Sequence, residues 1–169
     1  MVRIGLQIKA NLENVTNLGP DGDDFRWYMK LQCGQCGEVT DTWQYVSLLE
    51  SSPLKGGRGN ASLVSKCKLC KKENSIDILK DFIKPYRMEE NNQFQTVVAF
   101  DCRGMVPVKY SFRSGFQAEG VDSPTKFGEI DLQSEVRNLT WESKYSQICI
   151  ERTLKGHHKG GLYREMPFL

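Results

Sequence analysis

The sequence predicts a mainly β protein with β-rich segments in both halves and a four-cysteine metal site in the first. Three observations carry this. Val2, Ile4, Leu6 and Ile8 alternate strictly with polar residues, which places one apolar face on an opening strand. Aromatic and β-branched residues crowd Phe25–Leu31 and Phe94–Phe100. Two Cys-x-x-Cys pairs, Cys33–Cys36 and Cys67–Cys70, sit between segments of this kind.

Along the chain, Val2–Lys9 reads as the first strand. Asn17–Asp24 concentrates Gly, Pro, Asn and Asp and reads as a turn, and Phe25–Leu31 resumes as a strand running into the first cysteine pair. Val39–Leu49, with Trp43, Tyr45 and Val46, predicts another strand; Ser51–Gly59 is a loop by composition; Ala61–Lys66 returns as a short strand to the second pair. Ser75–Ile83 fits either a strand or one short helix, ended by the Lys84-Pro85 step. Tyr86–Asn92 is a polar connector, and Phe94–Phe100 and Lys109–Phe116 predict two strands beyond it. Phe25–Gly34 aligns loosely with Phe94–Arg103, each placing a Phe eight residues before a Cys, which suggests a duplicated unit whose second copy lost its metal. The expected division is 1–85 and 93–169.

A chain of 169 residues, 39% hydrophobic and 26% charged, is long enough to bury a core without depending on metal alone. The net charge of +2 announces no polyanionic partner by itself. No apolar run approaches the roughly 18 residues of a membrane-spanning helix, and the first residues alternate where a signal peptide would be continuously apolar. The expectation is a cytoplasmic or nuclear protein, in which the sequons at Asn14, Asn60 and Asn138 carry no meaning.

In a reducing compartment, paired Cys-x-x-Cys motifs point to metal or redox chemistry before structural disulfides. Two such turns supply the four thiolates of a closed tetrahedral zinc shell, so Cys33, Cys36, Cys67 and Cys70 are the candidate ligands of a structural Zn2+. Residues 37–66 separate the pairs, thirty positions where a compact ribbon uses roughly 15–20. A hairpin formed within that interval would bring the pairs together. Gly34 and Gly37 suit a tight metal turn, whereas Lys71 makes the second turn less typical. A thioredoxin-like centre would need a helix after one pair. Iron could occupy four thiolates too. A catalytic zinc would keep an open position, which four cysteines do not leave. Cys102 and Cys149 read as buried small hydrophobes and His157 and His158 as a solvated tail.

Six cations (Lys55, Arg58, Lys66, Lys68, Lys71, Lys72) and no carboxylate occupy 55–72. Their first role is to offset the negative charge of a four-thiolate zinc site. A nucleic-acid surface is the alternative, although base-stacking aromatics are absent from the loop. Neither a nucleophile elbow nor a dinucleotide fingerprint occurs, so no enzyme is expected.

Several stretches, in order, resemble one family: Leu6-Gln-Ile-Lys-Ala-Asn-Leu-Glu-Asn-Val-Thr-Asn17, Asp24-Phe-Arg-Trp-Tyr28, Cys33-Gly-Gln-Cys-Gly-Glu38, Lys55-Gly-Gly-Arg-Gly-Asn-Ala-Ser62, Lys66-Cys-Lys-Leu-Cys70 and Gly115-Phe-Gln-Ala-Glu-Gly-Val121. The chain is similar here to the eukaryotic CXXC-motif-containing zinc-binding proteins over about residues 2–132. The resemblance implies a β-rich fold of two similar halves, zinc in the first half on the four cysteines, and no established enzyme activity. It also implies a protein partner, the metal-binding domain of the copper chaperone for superoxide dismutase. Residues 134–169 depart from the family's strand-forming, acidic ending and form a divergent basic tail. The functional expectation is a zinc-stabilised protein-interaction adaptor, with a zinc-ribbon nucleic-acid binder using loop 55–72 as the alternative.

Overall fold

The alternation at the N-terminus extends further than its first eight residues: β1 runs Val2–Glu13, burying Ile4, Leu6, Ile8, Ala10 and Leu12 on one face. The protein is described from a computed structural model, which covers residues 1–56, 59–123 and 125–133 with side chains and the strand backbones at 136–141, 144–157 and 164–166. After β1 come β2 (Val15–Pro20), β3 (Trp27–Cys33), β4 (Gln44–Val46), β5 (Ser52–Pro53), β6 (Asn60–Ala61), β7 (Leu63–Lys66) and β8 (Glu73–Leu79). Two single 3-10 turns, Lys80–Phe82 and Met88–Glu90, lead to β9 (Gln95–Arg103), β10 (Met105–Ser111), β11 (Phe116–Gly120) and β12 (Lys126–Ile130). The last strands are β13 (Val136–Trp141), β14 (Lys144–His157) and β15 (Arg164–Met166). No helix among the described residues is long and apolar enough to cross a membrane.

Several boundaries differ from the sequence expectation. The turn expected at Asn17–Asp24 starts later, because buried Val15 and Leu18 hold β2 against the core and Leu18 exchanges backbone hydrogen bonds with Tyr86 (2.9 and 2.7 Å). Asn14 takes the preceding turn at φ 59°, in the left-handed region that Asn tolerates. Of Val39–Leu49 only β4 is strand, with one isolated bridge from Val39 to Gln32. The ambiguous Ser75–Ile83 divides into β8 and a 3-10 turn. The strand expected at Lys109–Phe116 instead begins at Met105 and stops at Ser111.

A seven-stranded antiparallel sheet takes the order β13-β14-β1-β9-β8-β7, with β15 on β14; β10-β3-β4 and β12-β11-β2 form two further three-stranded sheets. The order is symmetrical about the β1–β9 pair. Exchanging β1 with β9, β2 with β10, β3 with β11, β4 with β12, β7 with β13 and β8 with β14 reproduces every pairing along these three paths. The two halves are therefore similar and related by an internal two-fold, with each half's last hairpin zipped onto the other half's first strand.

This symmetry corrects the sequence alignment of Phe25–Gly34 with Phe94–Arg103. The counterpart of β3 is β11, and the counterpart of Cys33 is Gly120. Cys33 N–H donates to Glu38 O and Gly120 N–H to Thr125 O, both at 2.8 Å; Gly34 N–H donates to Gly104 O (2.9 Å) and Val121 N–H to Asn14 O (3.1 Å). The second half keeps these two backbone bonds of the first metal turn without its thiols.

Between the sheets lies one apolar core. Trp27 on β3 is 2% exposed and meets Phe25, Phe100, Tyr110 and Phe116 with ring centroids 4.7–6.5 Å apart, three of the four pairs edge-on. Tyr86 fixes the connector: fully buried, its hydroxyl lies among the carbonyls of Ala10 (3.1 Å), Glu90 (2.5 Å) and Gln93 (2.9 Å). Cys102 is buried in this core and desolvation pushes its thiol up to about 12, consistent with a small hydrophobe. The side chains of Cys149 and His157, and all of His158, lie outside the described residues. Trp27→Ala is expected to cost about 3–5 kcal/mol of unfolding free energy, measured by urea denaturation with zinc bound; a loss below about 1 kcal/mol would mean that Trp27 is not the centre of the core.

Candidate metal centre

β3 delivers Cys33 at its end, and the β7–β8 hairpin presents Cys67 and Cys70 in its turn. Within the thirty intervening residues a hairpin does close around the loop, but only as the short β5–β6 pair, Ser52 opposite Ala61 and Pro53 opposite Asn60; β4 pairs with β3 and β7 with β8, and β4 and β7 do not pair with each other. The pairs are assembled instead by the second half. β3 lies on β10, with Cys33 opposite Met105, and β8 lies on β9, with Ser75 opposite Arg103. β9 and β10 are consecutive strands joined at Gly104, so one turn seats both arms of the site. Gly104 has φ 77°, its carbonyl accepts from Gly34, and the Asn74 amide is packed so closely that a Cβ at 104 would stand 2.3 Å from it. Only glycine meets both requirements.

The two metal turns are built alike. Gly37 N–H donates to Cys33 O (2.9 Å) and Lys71 N–H to Cys67 O (3.1 Å), while Cys33 and Cys67 donate to Glu38 O and Lys72 O at 2.8 and 2.9 Å. The left-handed position is Gly37 in one (φ 77°) and Lys71 in the other (φ 61°). Lys71 thus takes a conformation that costs an L-residue roughly 1–2 kcal/mol, and the turn closes regardless.

All four Sγ atoms lie within 4.8 Å of one another, Cys33 to Cys70 at 3.7 Å and Cys36 to Cys67 at 3.4 Å. These separations are far too long for disulfides of about 2.05 Å. They match the roughly 3.8 Å edges of a tetrahedron with Zn–S bonds of about 2.3 Å. Cys33 is buried and Cys36 exposed.

The cysteines differ electrostatically. The Cys36 and Gln35 amides donate towards Cys33 and lower its thiol to about 6. Cys67 is raised, chiefly because its thiol donates to Glu38 Oε2 at 2.8 Å. At Cys70 the Lys72 amide pulls downward, but burial and the neighbouring Cys33 and Cys67 outweigh it and the thiol is raised. Glu38, lowered by the Cys67 thiol and then by the Leu69 amide, also accepts from Leu69 N–H at 2.8 Å. One carboxylate therefore ties the first turn to the second. Sequence reasoning does not single out Glu38 as part of the site; its position two residues after Cys36 is the one signal for it.

The profile of the family described as "CXXC motif containing zinc binding protein, eukaryotic" matches residues 5–145. The chain belongs to this family. A Homo sapiens family member, the CXXC motif containing zinc binding protein, is 58% identical over 135 residues, covering 80% of this chain and 84% of the relative. A Nematostella vectensis UPF0587 protein is 61% identical over 132 residues, 78% and 82% of the two chains. The crystal structure of C1orf123 superposes with a TM-score of 0.86 at 51% identity, covering 90% of this chain and 98% of that one. A hypothetical protein from Plasmodium falciparum shares the fold at a TM-score of 0.82 and 20% identity, over 91% and 99%. Together with the four-thiolate cluster, the family assigns Zn2+ to this site.

Around the zinc site the cations of residues 55–72 are sparsely paired among the described residues. Lys68 makes an exposed ion pair with Asp41 (3.1 Å), and the Lys55 amide, not its ammonium, donates to Glu73 Oε1. Arg58 lies outside the described residues.

Two predictions follow from the charge and the seat. Because Cys67 and Cys70 have raised thiols, they carry protons at neutral pH without metal, and zinc must displace them. Calorimetry in buffers of different ionisation heat should register proton release on zinc binding, with affinity falling as pH is lowered; zinc uptake without proton release would contradict the assignment. Gly104→Ala should lose more than about 1 kcal/mol of stability and weaken zinc binding in a chelator competition. Unchanged zinc affinity in that variant would show that the turn does not seat the site.

Proposed function

We propose that this chain is a non-enzymatic, zinc-stabilised adaptor of the cytoplasm or nucleus that presents a β surface to another protein. The observation supporting it is the closed shell: four thiolates converge on one point, so a tetrahedral zinc would have no position left for water or substrate. The metal then holds β3 and the β7–β8 hairpin together, and function falls to the surfaces so fixed. The partner drawn from the family resemblance is the metal-binding domain of the copper chaperone for superoxide dismutase, and soft thiolate ligands suit proteins that handle copper alongside zinc.

Two measurements test the reading. Stripping zinc with a chelator should lower the melting temperature and loosen hydrogen-exchange protection at β3, β7 and β8 before β1 and β9; identical stability with and without metal defeats the structural role. Calorimetric titration of the zinc-loaded chain with the copper chaperone's metal-binding domain should show saturable binding that the Cys36→Ser/Cys67→Ser variant loses. No heat at micromolar concentrations would remove that partner.

A further inference from the structure

A closed shell of four thiolates restricts how its ion can come and go. With no position open, either a sulfur must let go first or a fifth donor must take hold, and zinc accepts both carboxylate oxygen and five-coordination. The donors beside the four sulfur atoms therefore decide how readily the site exchanges its metal.

Among the described residues one carboxylate is bonded to a ligand sulfur: Glu38 Oε2 stands 2.8 Å from Cys67 Sγ. The group whose ligand atoms all lie within 4.8 Å of one another comprises the four cysteines and not Glu38. Glu38 thus neighbours one ligand without belonging to the closed shell. Leu69 N–H holds the carboxylate there at 2.8 Å through a bond that does not involve the sulfur. Typical Zn–S and Zn–O bonds of about 2.3 and about 2.0–2.2 Å together exceed the oxygen–sulfur separation, so one ion can touch both atoms.

The surroundings give this carboxylate access. A cleft of about 150 Å³ opens between residues 38–44 and 65–68, with Glu38 and the half-buried Cys67 on its walls and the buried Cys33, Asn74 and Met105 lining it more deeply. Cys36 and Cys70 do not line it. Cys36 is the exposed ligand, yet its sulfur contacts the Cys67 sulfur and no carboxylate, so its departure would be answered by water alone.

We propose that Glu38 is the transit ligand of the metal centre, its carboxylate taking the coordination position of Cys67 as that sulfur lets go and returning it on loading. One metal–oxygen bond forms as one metal–sulfur bond breaks, the sulfur keeping its electron pair. Both residues sit in turns, Glu38 beyond β3 and Cys67 between β7 and β8, so no strand has to part. The site is then exchangeable as well as structural: the ion that braces the fold is loaded and removed through the cleft.

The test follows release of zinc from the loaded full chain to a zinc-chelating dye, with the rate extrapolated to zero dye and Kd taken from equilibrium competition. A residue that only braces the shell keeps the ion in place, so its loss speeds release and weakens affinity together. A transit ligand lowers the barrier from both sides. Glu38→Gln should therefore slow release about tenfold while Kd stays within about threefold, the loading rate falling in parallel. Asp41→Asn removes a charge from the same cleft, where Asp41 makes an exposed ion pair with Lys68; it should leave the release rate within about threefold. Circular dichroism checks the fold of each variant. Should Glu38→Gln fail to hold zinc, Glu38→Asp, which keeps the carboxylate but withdraws it by a methylene, is read on the same two quantities and should show the same pattern. Faster or unchanged release overturns the proposal. So does slower release matched by an equally tighter Kd, which would mean that Glu38 only opposes the loaded state. Equal slowing by Asp41→Asn would assign the effect to charge in the cleft and overturn it too.

Discussion

The metal centre depends on one turn. Gly104 joins β9 to β10, and each strand carries one arm of the site, β8 with Cys67 and Cys70 on one side and β3 with Cys33 on the other. No side chain can be added there, because the positive φ and the Asn74 amide both exclude it. The four sulfur atoms thus converge through backbone registry imposed by residues far away in sequence. Metal binding adds to an arrangement that hydrogen-bonded strands have already brought close.

That arrangement explains why four cysteines can form a site across an interval longer than a compact ribbon tolerates. A loop's closure entropy rises slowly with its length, and here the ends of the interval are held by sheet pairing. Glu38 completes the connection by bonding Cys67 and the Leu69 amide from the opposite turn. The second half, by contrast, keeps the main-chain bonds at Gly120–Thr125 but has Gly120 in place of Cys33. Its hairpin also differs: Lys66 and Glu73 enclose six residues, 67–72, whereas Trp141 and Lys144 enclose two. Two positions cannot hold a Cys-x-x-Cys pair.

The sequence made the local features legible and hid those that arise from pairing between distant segments. Alternation at Val2–Ile8 and the cysteine spacing were sufficient for β1 and for the ligand set, since both are short-range signals. β2 was masked by Asn17, Gly19 and Pro20, whose turn preference is overridden by Leu18 bonding to Tyr86. The internal repeat was misaligned because Cys33 and Cys102 follow similar apolar runs, although one ends β3 and the other lies within β9. The contacts of Tyr28 with Tyr45 and Arg113 are not legible in the sequence, because the three residues come from different parts of the chain and meet only when β10, β3 and β4 align.

The exchanged hairpins have a consequence for the chain as a polymer. β7 and β8 complete the sheet beside β9, and β13 and β14 complete it beside β1, so each half supplies the strands that cover the other's edge. A break in the connector near residues 88–93 would leave two fragments, each with an open edge and an exposed apolar face. Their natural repair is mutual complementation, and two intact molecules could achieve the same closure by trading halves. The connector that Tyr86 anchors against Ala10 is therefore the element that keeps this intertwined molecule a single self-closing chain.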